Sequence, residues 1–402
     1  MLRMLKIFAF LIIAVAYMSI ASATYGEEDI RTNTMLTTKQ INEIVDRTPP
    51  LKSDSIWKSE NYGVLATYGN IPEKQKGVES YEWQLSISNV SELIFKNDAL
   101  DEYLYRNNGF IIGYGSVIDG YIVVMTYDEL EDTITDEDLK NIHKIINKYA
   151  EEKKIENVPI KIISSEMGEP LKPKLEFADD TQNSKAIDDD YESKVRPLIG
   201  GIQVYSDYTG PGTSGYAVVS DNNSSEKGFV TSAHLVDFDN YSVYQPTNDF
   251  LNLNQVGTSA VSYTNVDAIY IPMSDVDAEL HIGNGETIAV GGYTDSSGID
   301  VYRSGVTTGL TVGQYYGRIY DYEMSGGNLL DRVGFMEGPV AQAGDSGGPL
   351  YSTMDIAVGH RAFVLGITQG TYSGNATGYE TMTVFVPFRE IKDKLGVSPL
   401  TK

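Results

Sequence analysis

Cysteine is absent from the 402 residues, so the chain can build neither a disulfide nor a thiolate metal site, and no thiol is available as a nucleophile. Histidine is scarce. Only His143, His234, His281 and His360 occur, too few for a multi-histidine zinc centre. No metal or other cofactor is expected. Positive charge is also short, 31 Lys and Arg against 56 Asp and Glu, and the net charge of −25 argues against nucleic acid or anionic membrane as a partner. Long apolar runs are nearly missing. The run "IFAFLIIAVAYMSI" follows Arg3 and Lys6 and precedes the small residues Ala21 to Ala23, the pattern of a signal peptide over 1–23. A retained membrane anchor is the alternative, but the run is short for a span and no second span follows. The expectation is a secreted protein, with no stable membrane insertion after signal cleavage.

Past that segment the composition changes twice. Residues 24–163 carry the strand-like runs "FIIGYGSVI" and "GYIVVMTY", then "TDEDLKNIHKIINKYAEEKKI", which places Leu139, Ile142, Ile145, Ile146 and Tyr149 on one stripe of a helix. Thr135 and Asp138 approximate a capping box, and His143 falls off the stripe. "VPIKIISS" adds a short strand, so this region is predicted to be a small α+β module. From Ser164 to about residue 198 the periodicity disappears among prolines and aspartates, the composition of a solvated, acidic linker. Beyond Ile199, short runs rich in Gly, Thr, Ser, Tyr and Val, with frequent turn signals, predict an all-β domain over 199–402.

That domain holds "AQAGDSGGPLY", Ala341 to Tyr351. The glycines Gly344, Gly347 and Gly348 suit a tight bend that would present Ser346, although a turn that merely reverses the chain can be as glycine-rich. A serine hydroxyl attacks only if a base takes its proton. His234 leaves an apolar strand in "GFVTSAHLV", His281 sits in a polar turn-like setting and His360 follows the serine closely. Such a base needs an orienting carboxylate on its other nitrogen. Asp267 in the apolar run "NVDAIYIPM" is costly unless paired, whereas Asp237, Asp239 and Asp249 lie in looser polar surroundings.

"TSAH", "VDAIYI" and "GDSGGPL", in the order His, Asp, Ser, resemble the chymotrypsin-like serine peptidases. "VYRSGVTTGLTVGQ" and the ending "TVFVPFREIKDKLGVS" further resemble the streptogrisin and α-lytic subgroup, whose members are made with pro-segments. The resemblance covers about residues 199–398 and implies two six-stranded Greek-key barrels. It implies His234, Asp267 and Ser346 as the triad, the amides of Gly344 and Ser346 as the oxyanion hole, and a buried ion pair between Asp345 and Arg303. It further implies a substrate-binding cleft formed by Val340, Ala341 and Gln342 on one side and Thr368, Gln369 and Gly370 on the other. None of these six is charged, which favours an apolar or small neutral residue before the cut; Glu380 would reverse this toward basic residues if it pointed inward. Where the subgroup has cysteines, Tyr302, Val312 and Leu235 stand here, so packing must replace those cross-links.

The function expected from these readings is a secreted serine endopeptidase acting on protein or peptide substrates through an acyl-enzyme. The alternative is a catalytically silent binding or adhesion protein that keeps the peptidase fold. By its position ahead of the linker and of "RPLIGGIQV", the N-terminal module is expected to be a pro-segment acting in cis, making the chain a zymogen; a permanent accessory domain is the alternative.

Overall fold

The computed structural model describes residues 63–72, 78–171, 189–236, 241–248, 253–258, 261–295, 300–356, 359–373 and 381–402. The signal peptide at 1–23, linker residues 172–188, and Asp237, Asp239, Asp249 and Glu380 lie outside the described residues.

The N-terminal module comprises β1 (Val64–Tyr68), α1 (Val78–Lys96), β2 (Ile111–Val117), β3 (Ile122–Tyr127), α2 (Asp136–Glu152) and β4 (Ile160–Ser165). Two of these strands are the alternating runs noted in the sequence. α2 begins at a true capping box: Thr135 Oγ1 accepts the Asp138 N–H at 3.2 Å and Asp138 Oδ2 accepts the Thr135 N–H at 2.9 Å. Its stripe of Leu139, Ile142 and Ile146 is buried, packed with Ile87, Val90 and Ile94 of α1 against Ile122, Val124, Ile160 and Ile162 of the sheet. β3 and β4 are parallel with α2 between them, and β1 and β2 flank them antiparallel, so local propensity, cap and apolar period agree on one small core.

After β5 (Glu169–Pro170) and β6 (Leu198–Gly200), the chain forms β7 (Gln203–Ser206), β8 (Gly210–Thr213), β9 (Ala217–Ser220), β10 (Lys227–Ser232), β11 (Ser242–Tyr244), β12 (Gln255–Thr258), β13 (Val261–Tyr263) and β14 (Ala268–Pro272). One sheet runs β13-β14-β10-β9 and the other β12-β11-β7-β8. β8 leads into β9, and β12 and β13 are likewise consecutive, so the two sheets are two halves of a first barrel around Phe229, Val243, Ile269 and Ile271. β15 (Val276–His281) and β16 (Thr287–Tyr293) then cross to β17 (Asp300–Gly305), β18 (Gly309–Met324), β19 (Asn328–Glu337), β20 (Pro349–Ile356), β21 (Gly359–Tyr372) and β22 (Met382–Pro387). These last strands close in the order β17-β18-β19-β22-β21-β20 and back to β17, a second barrel without free ends. α3 (Phe388–Leu395) and β23 (Val397–Pro399) return the chain to β9 of the first barrel.

Module and second barrel share one 14-stranded sheet. β2 lies antiparallel to β18, with Tyr114, Gly115, Ser116 and Val117 opposite Tyr320, Ile319, Arg318 and Gly317. A side chain at Gly115 would meet the Arg318 carbonyl oxygen at 1.9 Å, so only glycine permits this approach. Across the seam, Asp321 accepts from Arg106 Nη1 at 2.7 Å and from the Tyr114 hydroxyl at 2.9 Å.

The stretch from Ser164 onward, expected to be linker, is in fact held for its described part. Ser164 and Ser165 end β4, the Ser165 hydroxyl lies 2.8 Å from the Tyr372 hydroxyl, and Glu169 and Pro170 pair with Thr371 and Gly370 of β21. Farther along, Tyr191 is buried against His281. Polar, proline-containing composition was the wrong guide because pairing along a strand edge uses the backbone, which composition does not report.

Candidate active site

The loop between β19 and β20 carries the serine, and its shape comes from one carboxylate. Asp345, fully buried, accepts from Arg303 Nη1 at 2.9 Å, from the amides of Thr307, Thr308 and Gln342 at 2.8, 3.0 and 2.9 Å, and from the Thr308 hydroxyl at 2.8 Å. The expected partner, Arg303, is equally buried, and burial presses its guanidinium below the ordinary value while Asp345 opposes that. Gly344 and Gly347 adopt φ of +95° and +83°, the left-handed region that glycine enters without strain. At Gly347 a side chain would also strike Thr231 Oγ1 at 2.0 Å.

With the loop so pinned, the Asp345 amide donates to Gln342 and the Gly347 and Gly348 amides to Thr368 and Asp345 carbonyls. Among the described residues, neither the Gly344 nor the Ser346 amide is spent on a hydrogen bond. Two donors thus remain beside the serine, as an oxyanion requires.

Ser346 Oγ is hydrogen-bonded to His234 Nε2. The same imidazole presents Nδ1 to Asp267 Oδ2 at 2.5 Å, and Asp267 Oδ1 accepts the His234 backbone N–H at 2.8 Å. His234 stands in a short helical turn directly after β10, and Asp267 immediately precedes β14, the neighbour of β10. Asp267 has φ of +41°, a strained value for a side-chain-bearing residue. The strain is held by backbone contacts, since its carbonyl accepts from the Ala233 amide at 3.0 Å and from Gln369 Nε2 at 2.9 Å. Of the other histidines, His281 is buried beside Tyr191, His360 pairs with Asp355 at the surface and His143 stacks on Tyr68 in the module. Only His234 reaches the serine.

The fold is chymotrypsin-like. No protein-family model matches the chain, and no curated protein matches it. Among solved structures it is similar to Protease A of Thermobifida fusca, at 23% identity over 51% of this chain and 99% of that one, with a TM-score of 0.40. It is likewise similar to the chymotrypsin of Cellulomonas bogoriensis, at 26% identity, 51% and 99% coverage and a TM-score of 0.39, and to a Nocardiopsis protease, at 23%, 51%, 99% and 0.40.

The surroundings of Ser346 differ in detail from the sequence reading. Thr368, expected on the wall where substrate pairs, has its backbone engaged within the protein. Its carbonyl accepts from Gly347 N–H and Ser232 Oγ, and its amide is taken by the Gly348 carbonyl, so nothing of its backbone is left for a ligand. Gln369, Gly370 and Thr371 follow it on β21, where the Gln369 carbonyl accepts from the Leu171 amide and Gly370 and Thr371 pair with Pro170 and Glu169. On the opposite side Ala341 is buried, Val340 half-buried and Gln342 exposed. The Ala341 amide donates to Thr383 Oγ1 at 3.0 Å. Thr383 and Thr371 face each other on β22 and β21, and Thr383 was missed because a threonine in an apolar strand reads as ordinary filling. Gln369 has an unforeseen second task, since its side chain steadies Asp267.

Proposed function

We propose that the chain is a secreted serine endopeptidase that hydrolyses peptide bonds through an acyl-enzyme, and that residues 24–163 are a pro-segment acting in cis on the peptidase domain at 199–402. The single observation that carries this reading is the continuous bond path from Ser346 Oγ through His234 to Asp267. His234 Nε2 takes the hydroxyl proton as Ser346 attacks the scissile carbonyl, and Asp267 holds the Nδ1 proton in place and stabilises the imidazolium. The amides of Gly344 and Ser346 meet the developing oxyanion, each worth about 3 kcal/mol. His234 returns the proton to the leaving amine, and water, activated by the same imidazole, releases the acyl group.

The pro-segment reading is supported by the shared sheet and by the complete burial of Ser346 in the full chain. Maturation is expected to yield a form beginning between residues 185 and 201. A fluorophosphonate probe tests the enzyme reading: it should label the matured protein at Ser346 and fail on Ser346→Ala. A matured wild-type protein that never labels would remove the reading.

A further inference from the structure

The cleft is occupied by this chain itself. Glu169 and Pro170 run antiparallel to β21, opposite Thr371 and Gly370, and the Leu171 N–H continues the ladder to the Gln369 carbonyl at 3.0 Å. Pro170, which has no N–H to give, sits between the two positions, where an added strand tolerates it. The neighbouring Thr368 carbonyl is held by Gly347, the residue after Ser346. Leu171 therefore ends one step along β21 from the nucleophile's own loop. Its side chain is buried, although its surroundings in sequence, "GEPLKPK", would leave a leucine exposed in a linker.

The preceding residues are gripped too. Met167 packs on the barrel core, the Gly168 carbonyl accepts the Ser325 N–H at 2.8 Å, and Glu169 Oε2 accepts from the Ser325 hydroxyl at 2.7 Å. A side chain at Gly370 would strike the Glu169 carbonyl oxygen at 2.4 Å, so the groove admits this strand because residue 370 is glycine.

We propose that Glu169-Pro170-Leu171 is bound as the acyl side of a substrate: the enzyme's first cut is in its own chain, between Leu171 and Lys172, and its preferred substrates are peptides ending in Pro-Leu before the cut, with an acidic residue ahead of them matched to Ser325. This inference rests on the peptidase reading. Ser346 Oγ forms an ester with the Leu171 carbonyl carbon, the bond to the Lys172 nitrogen breaks, and that nitrogen leaves with the proton carried by His234. Water then frees the Leu171 carboxylate. The released module would keep its end in the cleft as a product, and any later trimming toward residue 199 would leave that end unchanged.

The test is the mass and C-terminal residue of the module fragment made by full-length wild-type protein, beside fluorophosphonate labelling of the same sample. A fragment ending at Leu171, absent from Ser346→Ala, supports the proposal. With the labelling read after the module has been digested away by an added protease, labelling of Ser346 together with a module fragment that ends elsewhere, or with a chain uncut before that digestion, overturns the proposal and leaves the peptidase reading standing; absence of labelling removes both. The full chain with Leu171→Asp should make this cut more slowly, on the order of tenfold, and an unchanged rate overturns the assignment of Leu171. In a second measurement on matured enzyme, an Ala-Glu-Pro-Leu anilide should exceed its Ala-Glu-Pro-Lys counterpart in kcat/KM on the order of tenfold. The preference for Ala-Glu-Pro-Leu over Ala-Ala-Pro-Leu should shrink about fivefold in Ser325→Ala. Equal rates for leucine and lysine, or a preference indifferent to Ser325, count against the proposal.

Discussion

The seam between β2 and β18 and the junction where Ser346 meets His234 both bring together distant parts of the chain, and they spend their backbone groups in opposite ways. At the seam, Tyr114 to Val117 and Gly317 to Tyr320 pair residue by residue, so the amides and carbonyls of the ladder satisfy one another and the result is cohesion. At the junction, side chains take over. The Asp345 carboxylate and the Arg303 guanidinium hold the loop that a ladder would otherwise hold, and the Gly344 and Ser346 amides are left over for chemistry. A buried carboxylate with a full set of donors is what lets a protein leave amides unpaired without leaving the loop loose.

The largest expected effects attack the junction. Ser346→Ala and His234→Ala should each lower turnover by about a millionfold, and the double variant by no more, because the groups act as one device. Single-turnover kinetics on an activated ester would read this, and losses that multiply would mean independent roles. Asp267→Asn should keep the fold and lower kcat by about ten-thousandfold through the wrong imidazole tautomer. Near-normal activity in that variant would show the carboxylate to be no part of the device.

Next come the two arginine–aspartate pairs, one at each place. Arg303→Ala leaves Asp345 charged and wholly buried, and should cost about 3 to 5 kcal/mol in a denaturant titration. Arg106→Ala at the seam should cost less, about 1.5 kcal/mol, since Arg106 is partly exposed and Tyr114 still donates to Asp321. Equal costs would erase the distinction between a pinned loop and a laddered seam.

The smallest effect is one of pH. Burial raises the Asp321 carboxyl above its ordinary value, Arg106 and the Tyr114 hydroxyl pull it back, and Asp101 adds a little to the rise. The folded chain thus binds that proton more readily than the unfolded one, so this group's contribution to stability falls as pH rises from the ordinary aspartate range, near 3.9, through the raised value. Asp321→Asn should show a flatter dependence over the same window in thermal melts of the uncut Ser346→Ala protein; a steeper one would reverse the sign.

How much of this the sequence announced depended on whether side chains or backbone carried the message. Ser346, His234 and Asp267 stood out as residue types that such chemistry needs, the pairing of Arg303 with Asp345 came only through the family resemblance, and the cap and stripe of α2 were legible because helices are local. The ladder between β2 and β18 was not, since any alternating run can pair with any edge. The seating of Glu169 to Leu171 was hidden more thoroughly, because proline and charge nearby speak for solvent. The engagement of the Thr368 backbone was hidden as well, because its partners Gly347, Ser232 and Gly348 lie far from it in sequence.

The row of β18 groups that pairs with β2 has a consequence for any form of the protein that lacks the module. Over Gly317 to Tyr320 the second barrel would then show an unsatisfied strand edge to water, a template on which another extended chain could register. Ile319 and Tyr320, buried in the full chain, would lose their cover on that side. The nearby charges of Arg318 and Asp321 would discourage a second copy from settling there by placing ions against a contact that has no water to spare. In such a form those two charges would be what stands against self-association along that edge.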